Sequence, residues 1–491
     1  MKKILLLILL MPGICISQVR LPLATQTPPK GTSHSEMVQF LSDICTESEL
    51  YDLEFVGASS GGHKIPAVFY PKRSVWKKDQ TRVFVFAQQH GNEPSGKEAL
   101  LMMLHELYLH PQISDYANLN LILVPMVNPD GNEADKRRNG NDYDLNRNHV
   151  ILSEPETRLL HKLFEQYQPH VTLDVHEYGS GTWLEHGYIK DFGEQLDCVS
   201  NPAIPSTLKN FAIREILDPT IEQTRARGVK ANRYLITRGD MGHFVRHSTT
   251  DINDGRNGFG IRYSLSFILE GLNAYPKEEK IWQRGKYQLT LIDTFLKICN
   301  QKSQNIYSLV EDIRNKFASN VPDSVIIQAD YTERFSRPLE VTLIRTTDFR
   351  DTTLTLPHYR PEPEAVVTVK RPVAYIVKRP DQKIIAMLES HHIAYNVLTE
   401  SETYNVEQFE ISGRDTLRLE GRDTIIPGGR FIRAEVTFTP GDIIITTSSI
   451  RANQIVQILE PQSFYGISYY KEYQSLLDSD IYPVFRIISK N

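Results

Sequence analysis

From about residue 35 to residue 300 the chain alternates short apolar runs with stretches of helical periodicity, which confines this part to the α/β class. Residues 83–87, 119–126, 171–175 and 265–269 read as buried strands. Ser95–Leu109 puts Ala99, Leu100, Met103, Leu104 and Leu107 on one helical face. Pro155 suits the first turn of a helix that runs to Tyr167. A helix over 282–296 closes the block, and beyond a polar segment at 300–305 another continues to about Phe317.

After Pro322 β-branched and polar residues alternate, as in Val341-Thr-Leu-Ile, Ala365-Val-Val-Thr-Val, Ala434-Glu-Val-Thr-Phe-Thr and Asp442-Ile-Ile-Ile-Thr-Thr. Gly413-Arg-Asp-Thr recurs as Gly421-Arg-Asp-Thr, an offset that suits two neighbouring strands of a hairpin. Residues 319–491 are therefore expected to form a second, smaller β-rich domain with a few helices, such as Gln382–Ser390. Its histidines are His358, His391 and His392, and the adjacent pair, placed just after that helix, is expected at the surface.

With 491 residues the chain is long enough for two or three folded units. A formal charge of −5 leaves no basic footprint for nucleic acid and no polybasic membrane patch. Lys2 and Lys3 precede an apolar run at 4–11, and Cys15-Ile16-Ser17 ends in a small side chain. This is the pattern of a cleavable secretory signal over residues 1–17. The run is too short to cross about 30 Å of hydrocarbon, and Ile14 is too large to precede a lipidated cysteine. No second apolar stretch is long enough to span, so the mature protein is expected to be secreted or periplasmic. Cys45, Cys198 and Cys299 remain, too scattered to define a disulfide framework or a thiolate metal site.

Four segments at the ends of the expected strands hold the chemistry-bearing residues. The first strand runs into Gln88-Gln-His90-Gly-Asn-Glu93-Pro-Ser-Gly, where His90 and Glu93 can converge on one ion across a strand-to-helix turn. With 15 histidines in the chain, about one His-x-x-Glu arises by chance, so this pair alone is a weak signal. The second strand leads to Asn128-Pro-Asp-Gly131, an ordinary turn, and then to Lys136-Arg-Arg-Asn-Gly-Asn-Asp-Tyr-Asp-Leu-Asn-Arg-Asn148. Arginine beside asparagine can make a fork for a carboxylate. The third strand ends in Thr172-Leu-Asp-Val-His176-Glu-Tyr-Gly, where α/β sheets place ligand sites. The fourth ends in Phe267-Ile-Leu-Glu270-Gly, a carboxylate that is costly to bury without a partner.

In this order the segments resemble the zinc metallocarboxypeptidase family, the carboxypeptidase A-like peptidases, over roughly residues 35–300. The resemblance implies a mixed, mostly parallel sheet flanked by helices, in a catalytic domain over 18–318. It also implies one catalytic zinc per chain, held by His90, Glu93 and His176 with a fourth position open to water. Asp144 matches the acid that orients the first zinc histidine. Glu270 matches the general base, and Arg137 the arginine that polarises the scissile carbonyl, with Arg138 one residue away in register. Asn146 and Arg147 match the pair that holds the substrate's terminal carboxylate. The implied substrate is a peptide or protein with a free C-terminus.

This sequence departs from the family pattern in three places. Glu177 follows the second histidine where the best-known members have a small polar residue. The loop at 242–261 contains His243, His247, Asp251 and Asp254 but no substrate-covering tyrosine, and Tyr263 lies too near the last strand for that role. No position clearly sets side-chain specificity, although Asp251 or Asp254 would favour basic C-terminal residues. Two other readings remain open: a related zinc amidohydrolase acting on cell-wall peptides or N-acyl amino acids, and a binding module that kept the fold and lost the chemistry. Glu270 argues against the second, since a degenerate site has no need of a general base.

Overall fold

The structure, a computed structural model, describes residues 19–111, 116–179, 181–238, 244–273, 280–419 and 422–487. The expected signal at 1–17, together with His243 and Gly421, lies outside them. Among the described residues no helix is long and apolar enough to cross a membrane.

An eight-stranded sheet forms the centre of the first region. Its strands are β1 (Asp52–Ala58), β2 (Lys64–Tyr70), β3 (Thr81–Ala87), β4 (Leu119–Val124), β5 (Val171–Tyr178), β6 (Glu194–Cys198), β7 (Ala231–Arg233) and β8 (Leu265–Leu272). They lie in the order β1-β2-β4-β3-β5-β8-β6-β7. The pairs β4/β3, β3/β5, β5/β8 and β6/β7 are parallel, while β1/β2, β2/β4 and β8/β6 are antiparallel. The fold is thus the expected α/β type with a mixed, mostly parallel sheet. β4 is buried at every residue and β3 at every residue but Arg82, as strands covered on both faces require.

The helices Ser95–Leu109 and Pro155–Tyr167 occupy the expected spans. The polar segment at 300–305 is mostly helical: Ile281–Gln301 and Ser303–Ser319 are separated only by Lys302. The first of these two helices lies against β8 at Gly271, where a Cβ would sit 2.3 Å from Gln288 Nε2. That close approach lets Gln288 donate to the carbonyl of His176 at 2.7 Å.

The region after residue 320 is β-rich, with the helix Gln382–Ser390 as expected. The first copy of the tetrapeptide and Arg422-Asp-Thr of the second fall on the paired strands Glu402–Leu419 and Arg422–Phe438, although they do not face each other: Asp423 lies opposite Arg418. A five-stranded sheet joins the two regions. Arg337–Arg345 pairs with Tyr188–Lys190, and Asp351–Arg360 pairs with Phe244–Arg246. One apolar cluster also crosses the boundary, from Val150, Ile151 and Ile204 to Ile327, Met387, Ile455 and Tyr470. The helix Ala452–Leu459 is buried all round at this seam.

His391 is a correction to the expected surface pair. It is fully buried, its Nε2 2.7 Å from the Val150 carbonyl and its Nδ1 accepting from Gln454 at 3.0 Å, while His392 is exposed. Nearby, Glu165 is bridged by Arg262 of the first region and Arg451 of the second. A residue at the end of a helix is hidden here because the other region folds over it.

Candidate active site

β3 ends at Ala87 and Gln88 takes a left-handed backbone (φ 60°), which turns the chain sharply before the next helix. This turn stacks on the one at Pro129–Glu133: a Cβ on Gly91 would lie 2.0 Å from the Gly131 backbone, so only glycine allows the contact. His90 and Glu93 are thereby brought to His176 on β5. His90 Nδ1 lies 2.9 Å from Glu93 Oε1, His176 Nδ1 lies 3.0 Å from Glu93 Oε2, and the two Nδ1 atoms are 3.0 Å apart. Among the described residues this is the one cluster of at least three such side chains whose ligand atoms all lie within 4.8 Å of one another.

The far edges of both imidazoles are held by carboxylates. His90 Nε2 is 3.0 Å from Asp144 Oδ1, and His176 Nε2 is 2.8 Å from Asp174 Oδ1. With Nε2 of His90 carrying the proton toward Asp144, its Nδ1 keeps its lone pair for a cation, and the Asp174 charge close to His176 Nε2 favours the same tautomer there. Burial alone would raise the Glu93 carboxyl, but His90 and His176 outweigh it and hold the group well below the usual range. Asp144 behaves alike: against burial, His90 first and then Arg137 and Arg147 keep it low. Two imidazole nitrogens and a carboxylate converging in this way fit a catalytic zinc site. Asp174 was not singled out from sequence. Its signal was available, since residues two apart on a strand share a face, so Asp174 and His176 point the same way.

Glu270 sits beside His176 across the β5/β8 pairing and is 8% exposed. Burial, with the Glu93 charge adding to it, pushes its carboxyl up to about 7 against the pull of His176. Arg137 donates from Nε to Asp144 at 3.0 Å and from Nη1 to Glu93 at 3.4 Å. Arg138 turns away to Asp142, so the structure separates the two arginines that register had left close. Asn146 is buried beneath the pocket, its Oδ1 accepting from Gly255 N at 2.8 Å. Arg147 follows it on the pocket wall, with Nη1 donating to the Asn146 carbonyl at 2.7 Å. All eight expected site residues thus gather around one pocket of about 290 Å³, or directly behind it.

Tyr234 is the residue that sequence reasoning missed. It lies between β7 and the short strand Ile236–Arg238, upstream of the loop searched for a tyrosine, and its hydroxyl hydrogen-bonds the Glu270 carboxyl. Burial, followed by the Glu270 charge, lifts its phenol well above the ordinary value. Tyr263, by contrast, is fully buried against Phe317 at 4.7 Å between ring centroids. Asp254 caps the helix Gly255–Gly260 and pairs with Arg256 Nη2 at 2.8 Å, so its charge is already balanced within the protein. Glu177 is buried and held by Arg284 and by the Ser95 amide at 3.1 Å.

The profile of the zinc carboxypeptidase family matches residues 37–287, which include every residue of this site. Carboxypeptidase 2 of Trichophyton tonsurans is 24% identical over 452 residues, covering 87% of this chain and 81% of that protein. Probable carboxypeptidase 2 of Arthroderma benhamiae is 24% identical over 390 residues, covering 76% and 72%. Among solved structures, a metallo-carboxypeptidase from Burkholderia cenocepacia is 16% identical with a TM-score of 0.41, over 55% of this chain and 68% of that one. A metallo-carboxypeptidase from Pseudomonas aeruginosa in complex with (2-guanidinoethylmercapto)succinic acid is 17% identical with a TM-score of 0.43, over 56% and 70%.

Proposed function

The chain belongs to the zinc carboxypeptidase family, and we propose that it removes the C-terminal residue of peptides or proteins, with one zinc per chain held by His90, Glu93 and His176. The observation that carries this reading is the convergence of two Nδ1 atoms and the Glu93 carboxylate beside a Glu270 carboxyl raised to about 7. We further propose export through the 1–17 segment, and a catalytic unit over 18–318 carrying the accessory β-rich region 319–491.

Zinc bound there supplies Lewis acidity toward the scissile carbonyl and makes water a readier proton donor. Glu270 takes the proton of the attacking water and later delivers it to the leaving nitrogen. A carboxyl that titrates near neutrality can do both, and the Tyr234 hydroxyl holds it in orientation. Arg137, anchored by Asp144 and Glu93, faces the carbonyl oxygen as negative charge develops on it. Asp144 and Asp174 keep both imidazoles in the ligating tautomer. Asn146 and Arg147 accept the terminal carboxylate, which restricts cleavage to the last bond.

That restriction is the test. Amidating the C-terminus of a good peptide substrate should abolish most cleavage, and Arg147→Ala should cause a similar loss. A charged hydrogen bond contributes roughly 1.5–3 kcal/mol, so each change should lower kcat/KM by about ten- to a hundred-fold or more. Applied together they should cost little beyond either alone, because both remove the same contact. Equal cleavage of free and amidated peptides would replace this reading with the amidohydrolase one.

A further inference from the structure

Behind the catalytic pocket, Gln89 stands between two residues with different tasks. Its Nε2 donates to Asp174 Oδ2 at 2.8 Å and to Asn146 Oδ1 at 3.2 Å. Asp174 borders the metal-binding candidate His176, and Asn146 is the proposed partner of the substrate's terminal carboxylate. Both also lie against the same imidazole edge, Asp174 Oδ1 at 2.8 Å and Asn146 Nδ2 at 3.2 Å from His176 Nε2. All four side chains are buried. The space around them is tight, since a Cβ on Gly255 would sit 2.6 Å from Asp174 Oδ2 and 3.1 Å from Gln89 Nε2.

The direction of the Gln89 amide follows from neighbours that can play one part alone. The Gly255 N–H donates and cannot accept, so the Asn146 atom facing it at 2.8 Å is Oδ1. The Asp174 carboxylate accepts. Between two acceptors Gln89 must present its NH2, which turns its Oε1 to His149 Nε2 at 2.9 Å. His149 therefore donates from Nε2 and accepts at Nδ1, where His161 donates from its own Nε2 at 3.0 Å. Burial pushes His149 down to about 4, so at neutral pH its ring carries one proton and has one donor to give. His161 is fully buried as well, with His391 of the β-rich region set edge-on to its ring at 5.3 Å between centroids. A reversed Gln89 amide would set its oxygen against those of Asp174 and Asn146, which is costly for buried groups.

We propose that Gln89 is a positioning residue that ties the metal side of the site to its substrate side, holding Asp174 and Asn146 in one fixed relation, with His149 and His161 setting the direction of its amide. The inference rests on the carboxypeptidase reading for the part played by Asn146. Without the shared donor, Asp174 Oδ2 and Asn146 Oδ1 face each other as two acceptors and move apart. His176 then loses its outer partner, and the Asn146 NH2 leaves the place where the terminal carboxylate binds.

The experiment reads two quantities on the full chain: zinc affinity by chelator competition, and the ratio of kcat/KM for a free C-terminal peptide to that for its amide. Gln89→Met fills similar space and removes both donor and acceptor. It should lower zinc affinity about tenfold, through Asp174, and lower the free-over-amide ratio about tenfold, through KM. In an Asp174→Asn background the same change should cost little further zinc affinity, and in an Asn146→Ala background little further of the ratio. His149→Phe keeps a ring in place but frees the amide to turn, and should lower both quantities by a few-fold. It carries the test alone if Gln89→Met is not recovered folded. Wild-type values of both quantities in the folded variant, with only Tm reduced, would make Gln89 a packing residue and overturn the proposal. Loss of one quantity without the other would overturn the shared hold. A wild type that cuts free and amidated peptides equally would remove the carboxypeptidase reading, while zinc affinity would still decide whether Gln89 positions Asp174.

Discussion

β4 in the first region is buried along its whole length, whereas in the hairpin of the β-rich region Val406, Phe409 and Ile411 are buried and the stretch toward Arg418 is mostly exposed. The buried strands end in polar side chains that the sheet holds rigidly, and all three metal-binding candidates and Glu270 follow or lie on such strands. The half-exposed strands carry none of these residues. Another half-exposed strand, Asp351–Arg360, supplies instead the pairing beside the outer wall of the pocket, and the tyrosines near Arg147 come from the irregular segment around Ile467–Tyr469. Rigidity for chemistry thus comes from strands covered on both faces, while a half-exposed strand and an irregular segment of the β-rich region border the entrance.

The harshest way to break that contrast is to end the chain after Ser319. The cut removes the β-rich strands that pair with Tyr188–Lys190 and Phe244–Arg246, leaving the latter only Ile236–Arg238, and exposes Val150, Ile151 and Ile204. An uncovered apolar face of this kind drives association. Size-exclusion chromatography should find aggregated or absent protein, and a monomeric, active fragment would show that the regions are independent.

Glu270→Gln sharpens the contrast from the other side. Turnover should fall by about 10²- to 10⁴-fold because both proton transfers use that carboxylate. Elemental analysis should find the zinc content unchanged. Activity within a few-fold of wild type would remove Glu270 from the chemistry.

A finer comparison sets the strand-borne Asp174 against the loop-borne Asp144. Asn at either position should weaken zinc binding by about 10- to 100-fold, as loss of a histidine's outer partner does. Chelator competition measures this directly. Asp174→Asn should be the costlier change, because Asp174 is fully buried and also accepts from Gln89 at 2.8 Å. Equal zinc affinity in wild type and Asp174→Asn would mean that the 2.8 Å approach does not orient His176.

The mildest test is of the seam. Burial, together with the positive charges of Arg262 and Arg451, lowers His391 to about 3, so the folded protein keeps it neutral where the unfolded chain would protonate it. Its contribution is complete above the unfolded value of about 6.5 and is lost as pH falls toward the folded value, at about 1.4 kcal/mol per pH unit. Tm should therefore drop between pH 6.5 and about 3, and His391→Gln should shallow that drop. An identical pH profile in the variant would show that His391 does not contribute to it.

Much of this architecture was legible because its signals are local. The helix Ser95–Leu109 follows from apolar spacing, and the metal-binding candidates from short motifs at strand ends. The features that escaped depend on distant residues. His391 meets a carbonyl 241 residues away, and no pattern around it announces that contact. Tyr234 escaped because a tyrosine was sought in the loop at 242–261, whereas the side chain that reaches Glu270 comes from the turn before it. Asp254 and Asp251 read as loop acids, and only the structure shows Asp254 paired with Arg256.

The shared five-stranded sheet also makes part of the pocket wall depend on residues encoded far downstream. Val245 pairs with Tyr359, and His247 hydrogen-bonds that same tyrosine across 112 residues of chain at 2.6 Å. Ser248 and Thr249, which line the pocket, follow directly on this strand. A ribosome that has delivered every metal-binding candidate and Glu270 has therefore not yet delivered the strand that steadies the pocket wall. Closing such distant contacts is slow and comes late. Until Tyr359 and Arg360 have been made, this stretch of the pocket wall lacks the strand it pairs with in the folded protein.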